Sequence, residues 1–556
     1  MGINLFRFFL LLLFFLSASE SNDSIVKKTH FRDDDALSRV APALHPDSHI
    51  KIFIPNIPYT YIAKCTNSGL IRSYDNERGW EYELAKSHKK MGDFTYEFEL
   101  RKGLKFQDGS EFDTDDVVLN FEYFKRSPIL YTNIDKVDFD VIKIDKYKFK
   151  IVLKKKYEMF LTDLARIYFY TREYLKKYGF QGAETGSGTK AAGAYGMGPY
   201  ILKKGYALGS KQTSILELEA NPYYYNKEFP KIKRVTAYTQ LDAKEALKMI
   251  TQEEGKLDFA PIAFNKKIEV LTSKYAKLNI SKSTNNFIIF FNLINANERL
   301  KSKEVRVALN QALSQENLIN FVYKGEGYIS PFASSVNYEI VQKVLKNKEL
   351  KYEESLSKEK MHKLLDGLLL NVFTQDSFMF LFKGIEYQLK KYGVTLSYTI
   401  TSSEKDIYEQ LLSTHKSQNT QKWDLLIWGD DDWYYANPWS VFFIYEDDSA
   451  WSTIGKDRLM KSYIDEFFVT KKDSKEYEKV VSKILLRARE IAYTLRVPSP
   501  NKVVALNKEV IYKPYKGAVL PIWEMQITKD HYSLRKGKKY PQVLEQPIKP
   551  KREKYE

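Results

Sequence analysis

The segment Trp423-Asp-Leu-Leu-Ile-Trp-Gly-Asp-Asp-Asp-Trp-Tyr-Tyr-Ala-Asn-Pro-Trp439 concentrates residue types that recognise a charged ligand. The apolar run Trp423–Trp428 reads as a short buried strand. It leads through Gly429 into Asp430, Asp431 and Asp432, with Trp428, Trp433, Tyr434, Tyr435 and Trp439 around them. Carboxylates at a strand end would pair an ammonium, and the rings would add apolar area and cation–π attraction. That combination suits a cationic, partly apolar solute. The alternative is that the aspartates cap the following turn or helix while the rings fill a core.

Signatures of catalysis are scarce. Gly186-Ser187-Gly188-Thr189-Lys190 has the glycines of a phosphate loop. It lacks the Gly-Lys-Ser/Thr ending and follows no strand, so it reads as a flexible loop. No G-x-S-x-G nucleophile elbow occurs. His45 and His49 are four apart, but Pro46 lies between them and no third ligand is near, which favours a surface loop over a metal site. Converging carboxylates of the glycosidase type cannot be picked out among 71 acids. The single cysteine, Cys65, rules out an intramolecular disulfide and any zinc site needing two thiolates. We therefore expect no catalytic residues, no metal and no cofactor.

The elements that must position the acidic segment belong to a large globular chain. Its 556 residues are 44% hydrophobic, which excludes global disorder and suggests several structural units. Net charge is +16, from 87 Lys and Arg against 71 acids, but the two signs are mixed from end to end. A nucleic-acid partner is not expected. Charge asymmetry is confined to Arg535–Glu556, where eight basic residues face three acids in a proline-containing tail. Near the N-terminus, Arg7, the apolar run Phe8–Leu16 and Ser17-Ala18-Ser19 read as a signal peptide over residues 1–19. No cysteine closely follows that run, so a lipid anchor is not expected. No later stretch reaches 18 apolar residues, so we expect an exported protein of the periplasm.

Periodicity mixes strands and helices. Phe94–Leu100 and Tyr147–Leu153 alternate apolar and polar residues, as half-buried strands do, and Phe287–Phe291 reads as a fully buried strand. Asp113 suits an N-cap ahead of Val117, Val118 and Phe121, and Asp242 another ahead of Ala243, Ala246, Leu247 and Ile250. Val305, Ala308, Leu309, Ala312 and Leu313 mark one more helix. The mixture predicts an α/β or α+β fold.

Five segments, in order, resemble the periplasmic solute-binding proteins of ABC importers, family 5, whose members bind oligopeptides, dipeptides or nickel chelates. Phe98–Val118 is close to the family signature running from L-R-x-G to T-A-E-D-V-V. Gly196-Met-Gly-Pro-Tyr200 is similar to G-T-G-P-Y, and Ala220-Asn-Pro-Tyr-Tyr224 to A-N-P-x-Y. Phe291-Asn292 with Val305–Leu313 resembles F-N-T followed by V-R-x-A-L. Trp428-Gly-Asp-Asp431 with Asn437-Pro438 resembles W-G-x-D with a later D-P.

The resemblance implies a two-lobed α/β periplasmic-binding-protein fold (cluster C) with a hinge between the lobes. Lobe I would span about 24–283 plus 500–556, with an extra subdomain at about 80–220 and a basic tail at about 535–556. Lobe II would span 284–499. It implies a monomeric binding protein, not an enzyme, that captures peptides and delivers them to an inner-membrane ABC permease. Alternatives are the same fold holding a nickel chelate, an opine or another small solute. Further off lie a secreted hydrolase and a scaffold that binds nothing. In peptide-binding members an aspartate three residues after the tryptophan pairs the ligand ammonium, which points to Asp431. The family's proline usually follows that aspartate more closely, whereas Asp431 and Pro438 are seven apart here. This insertion leaves Asp430 and Asp432 as candidates too, with Trp428, Gly429 and Tyr434 beside them. Gly69-Leu70-Ile71 resembles a G-L-V segment whose backbone lines the cleft and would hold peptide main chain regardless of side chains.

Overall fold

The computed structural model describes residues 33–55, 58–126, 134–180, 188–208, 211–295, 297–346, 355–414, 416–418, 421–430, 437–446, 449–517 and 519–539. The expected signal peptide and most of the basic tail lie outside the described residues.

Two sheets dominate. The larger has seven strands in the order Ala276–Ser281, Lys502–Asn507, Phe259–Pro261, His49–Phe53, Arg234–Tyr238, Ile215–Ala220 and Tyr200–Lys204. Only the pairs that flank His49–Phe53 are parallel. Ile50 and Ile52 of that central strand are fully buried, each contributing about 1.5–3 kcal/mol of burial. The second sheet has five strands, in the order Thr395–Thr401, Leu369–Gln375, Leu425–Asp430, Asn286–Phe291 and Thr494–Leu495. The chain passes from the first body to the second between residues 281 and 286, and returns between 495 and 502.

A four-stranded antiparallel sheet, Ala85–Met91, Thr95–Leu100, Lys148–Leu153 and Phe139–Lys143, forms a third layer with the helix Thr114–Lys125. That helix begins as the sequence predicts. The Asp113 side chain accepts from the Asp115 amide, and Asp116 reaches back to the Asp113 amide in a reciprocal cap. Two strands near the end of the range 80–220 expected for the extra subdomain pair elsewhere. Tyr200–Lys204 and Ile215–Ala220 hydrogen-bond into the seven-stranded sheet, because their alternating apolar faces find burial there.

The resembling motifs meet as a structural clamp around residues 65–69. A Cβ on Gly196 would stand 2.2 Å from the Thr66 carbonyl oxygen, and one on Gly198 2.5 Å from the Cys65 oxygen. Only glycine permits that approach. Buried Gln107 donates to the carbonyls of Thr66 and Tyr200 and accepts from the Gly196 amide. Asn221 donates to the Gly198 carbonyl at 2.8 Å. Cys65 is fully buried in this packing, and burial pushes its thiol well above the usual range.

In the second body, the helices Arg458–Val469 and Lys475–Ile491 are tied together by Asp457. Its carboxylate caps the first helix through the Leu459 and Met460 amides and accepts from Arg487 of the second at 3.0 Å. It also accepts from the Tyr493 hydroxyl. Burial opposes its charge, but the bonds from Tyr493, Met460 and Arg487 outweigh that and hold the carboxyl below its ordinary range.

Two outcomes follow for the folded state. Gly198→Ala forces backbone against backbone and lowers stability by about 1–3 kcal/mol, read as a reduced midpoint in urea. Asp457→Asn lowers stability at pH 7 by about 1–2 kcal/mol. A carboxyl depressed in the folded state contributes above its unfolded pKa and loses that contribution as pH falls through its folded value. The gap between Asp457→Asn and the unaltered chain therefore narrows below about pH 4. Melts across pH 2.5–7 check this, and a constant gap counts against it.

Candidate ligand-binding cleft

The strand Leu425–Asp430 is held on both sides. It runs antiparallel to Asn286–Phe291, with Trp428 opposite Ile288, Gly429 opposite Phe287 and Asp430 opposite Asn286. It is parallel to Leu369–Gln375. Leu425, Leu426 and Ile427 are fully buried, as the apolar run requires. This anchoring fixes the direction in which the chain leaves at Asp430. Asp431, Asp432 and Tyr434 lie outside the described residues, and Asp430 is placed by its backbone alone.

Trp428 stacks on Trp451, with ring centres 5.8 Å apart, and meets the edges of Tyr408 and Phe443. Trp439, read from sequence as one of the rings around the aspartates, is buried against Phe467 and Phe468. These two indoles hold the ends of the acidic segment in place by packing. Gly429 leaves room for Phe378, whose ring lies 3.4 Å from where a Cβ would stand.

Gly69, Leu70 and Ile71 are buried in the first body. The Gly69 amide and the Ser68 hydroxyl both donate to the Glu83 carboxylate at 2.8 Å. The Gly69 carbonyl accepts from the Leu84 amide, and the Leu70 carbonyl from the amides of Glu83 and Ala85. Ile71 pairs with Tyr82 in a short ladder. Burial raises the Glu83 carboxyl above its ordinary range, with Arg72, the Gly69 amide and Ser68 opposing. These backbone groups are thus occupied by the protein itself. Leu70, Ile71 and Trp428 belong to one continuous apolar cluster that also contains Met159, Trp439 and Phe467.

That cluster crosses from one body to the other, and polar contacts accompany it. Tyr157 packs on Phe468, and the Glu158 amide donates to the Phe468 carbonyl at 2.8 Å. The Asn437 side-chain amide approaches the Met159 sulfur at 3.2 Å. The Thr284 amide donates to the Lys516 carbonyl at 3.0 Å. The two bodies are therefore in contact across the cleft.

Between them remains a cavity of about 380 Å³. The first body contributes Asp75–Glu77, Lys516 and Gly517. The second contributes Asn337–Ile340, Gln342, Lys343, Lys472–Ser474, Tyr477 and Glu478, and Thr284 lies on the crossing segment. Some of its lining residues lie near the described ends of the acidic segment, Asp430 and Asn437. Thr284 is two residues from Asn286, the partner of Asp430. At the far end, lining residue Tyr338 shares a 2.7 Å hydrogen bond with Ser440, and lining residue Tyr477 faces Asn437. Among the described residues no group of three His, Cys, Asp or Glu side chains could hold a metal ion. A cavity with such walls can enclose a small polar solute.

Sequence reasoning missed Lys472, Lys516 and the Asn337–Lys343 wall. They sit in turns and helix starts with no periodicity, and only the fold brings together residues more than 400 positions apart. Their charges fall within the end-to-end mixture of both signs, which marks no site.

The chain matches the model of "Bacterial extracellular solute-binding proteins, family 5 Middle" over residues 79–452. It is 28% identical over 282 residues to the glutathione-binding protein GsiB of Escherichia coli (strain K12), covering 49% of this chain and 50% of that protein. The chain thus spans about half the length of the curated relatives it matches. Solved structures share the fold at low identity. One is the oligopeptide-binding protein AppA from Bacillus subtilis in complex with a nonapeptide, with TM-score 0.69, 19% identity and coverage of 88% of this chain and 100% of that one. Another is NikZ from Campylobacter jejuni in complex with Ni(L-His), with TM-score 0.68, 20% identity and coverage of 86% and 97%. Both are two-lobed binding proteins, matching the two bodies and the cleft between them. The order of the motifs, the two-sheet architecture and the family match over two thirds of the length agree: this chain belongs to the bacterial extracellular solute-binding proteins, family 5.

Proposed function

We propose that the chain is the solute-capturing subunit of an ABC importer, that its solutes are short peptides, and that it hands them to an inner-membrane permease. In this reading it works in the periplasm as a monomer after removal of residues 1–19, and it performs no catalysis. Among the described residues no helix is long and apolar enough to cross a membrane. Lobe I would comprise 24–283 and 500–556, and lobe II 284–499. The observation that carries the reading is the polar cavity between the two bodies, lined from the first by Asp75 and Glu77 and from the second by Tyr338, Glu339 and Lys472. The oligopeptide-bound relative in the same fold supports peptides as the solute class.

The physics of capture follows from desolvation. A peptide ammonium enclosed by two lobes loses its water and needs an opposite charge. An empty closed state would bury the aspartate unpaired. The solute thereby stabilises the closed form relative to the open one, and closure becomes the signal a permease can read.

Native mass spectrometry of protein taken from its host's periplasm, before and after mild denaturation, tests the reading. A ladder of small masses that fragment as peptides is expected. A single mass with a nickel isotope pattern, or one non-peptide mass, moves the assignment to a chelate or another solute. Asp431→Ala should weaken peptide binding roughly tenfold or more, as when one partner of a buried charge pair is lost. Unchanged affinity in calorimetric titration would refute Asp431 as the ammonium partner.

A further inference from the structure

The chain crosses between the two bodies twice, and both crossings are held by one stretch of the second body. The Tyr323 hydroxyl donates to the Pro498 carbonyl at 3.2 Å. Asn501 donates to Glu326 twice at 3.2 Å, from its amide to the carbonyl and from its side chain to the carboxylate. Gly327 and Tyr328 pair antiparallel with Pro500 and Ser499. The Ser499 hydroxyl donates to Asn286 at 3.2 Å, and Lys282 of the first crossing lies over the Tyr328 ring, 5.8 Å from its centre. The stretch itself is tightly wound. Leu318–Val322 forms a π-turn, in which the Tyr323 amide donates to the Leu318 carbonyl at 2.9 Å. Gly384 of the helix Met379–Leu389 lets this turn pack close, since a Cβ there would stand 2.5 Å from the Val322 side chain.

The first body grips the same stretch without passing through either crossing. Phe264 stacks on Tyr323, with ring centres 5.0 Å apart, and meets the edge of Phe380 at 5.9 Å. Lys267 opens the short helix Lys267–Leu271. Its Nζ donates to the Lys324 carbonyl at 2.9 Å and to the Glu326 carboxylate. Tyr323 is fully buried, and the Lys267–Glu326 pair is mostly withdrawn from water. Glu326 thus holds Lys267 of the first body and Asn501 of the return crossing at once.

When one body rotates against the other, each atom moves in proportion to its distance from the axis, and the axis runs through the crossing segments. Contacts made elsewhere part as the lobes open. Such are the bond from the Glu158 amide to the Phe468 carbonyl, and those from Lys472 Nζ to the carbonyls of Glu77 at 3.3 Å and Arg78 at 3.0 Å. The grip of Phe264 and Lys267 falls instead on the residues that hold the crossings, where displacement is least. We propose that Phe264 and Lys267, seated on Tyr323, Lys324 and Glu326, form a third, non-covalent crossing, a pivot that stays made while the lobes open. Two crossing segments permit twist as well as bending. A third attachment removes the twist, so the lobes return to one closed register whatever solute they enclose.

Hydrogen exchange on the full chain freed of solute tests the pivot, because two backbone amides report the two kinds of contact. The Glu158 amide should exchange with each opening, while the Asn501 amide, bonded to Glu326, stays protected. In one variant, Lys267→Cys and Glu326→Cys are joined by a short bis-maleimide, and the native Cys65 is buried away from the reagent. A contact that never separates is indifferent to this tether, so Glu158 should exchange as in the unaltered chain. Slowed exchange at Glu158 means that the contact parts on opening, and overturns the pivot. In a second variant, Phe264→Ala with Lys267→Met, the Asn501 amide should exchange roughly tenfold or more faster, the scale of one partner lost from a charge pair withdrawn from water. Lys267→Met alone should show the same change in smaller measure, and it decides the matter if the double variant does not fold. Unchanged protection of Asn501 in the folded variants also overturns the proposal.

Discussion

Closure of two separately cored bodies over polar groups is the constraint on which the structure depends. Each body buries its own apolar surface, around the seven-stranded sheet on one side and the five-stranded sheet on the other. A third cluster runs from the four-stranded sheet to Trp428, Trp439 and Phe467 and joins them. Apolar contact alone would favour a permanently shut cleft. The charged cavity adds polar contacts to that apolar seam, with Lys343 on Glu339 at 2.8 Å and Lys472 on the carbonyls of Glu77 and Arg78. In the proposed reading, a solute that pairs the aspartate enclosed by the two lobes shifts the balance toward the closed form.

The supports of the site are more elaborate than the site itself. Gln107, Gly196, Gly198 and Asn221 form a network of main-chain and amide contacts around residues 65–69. Glu83 then takes up the amide of Gly69. A carboxylate in so apolar a place is tolerated because Arg72, Ser68 and that amide face it. Much of what resembles a family signature is thus a device for holding a loop still.

This division explains what was legible in the sequence. Strands and caps were readable, since Phe287–Phe291, Asp113 and Asp242 obey local rules of burial and hydrogen bonding. The acidic segment stands out in the sequence because three aspartates follow a buried strand, and Asp431 and Asp432 lie outside the described residues. Its rings were partly misjudged: Trp439 lies in the core, since the nearby helix Arg458–Val469 offers Phe467 and Phe468 to it. The cavity walls were not legible. Lys472 and Glu77 have no common pattern, and their meeting depends on the angle between two bodies, which no local periodicity encodes. For a related reason, an alternating strand such as Ile215–Ala220 does not declare which sheet it will join.

The path of the chain between the sheets bears on how the protein is made. Lys502–Asn507 is not an edge strand of the larger sheet, but lies between Ala276–Ser281 and Phe259–Pro261. The second body is therefore an insertion within the first. A chain emerging from its N-terminus can complete the five-stranded sheet while the seven-stranded one still lacks an inner strand. The first body stays open at that slot until the last tenth of the polypeptide arrives, exposing two unpaired strand edges in the interval. The body whose synthesis begins first is thus the last to receive all of its strands.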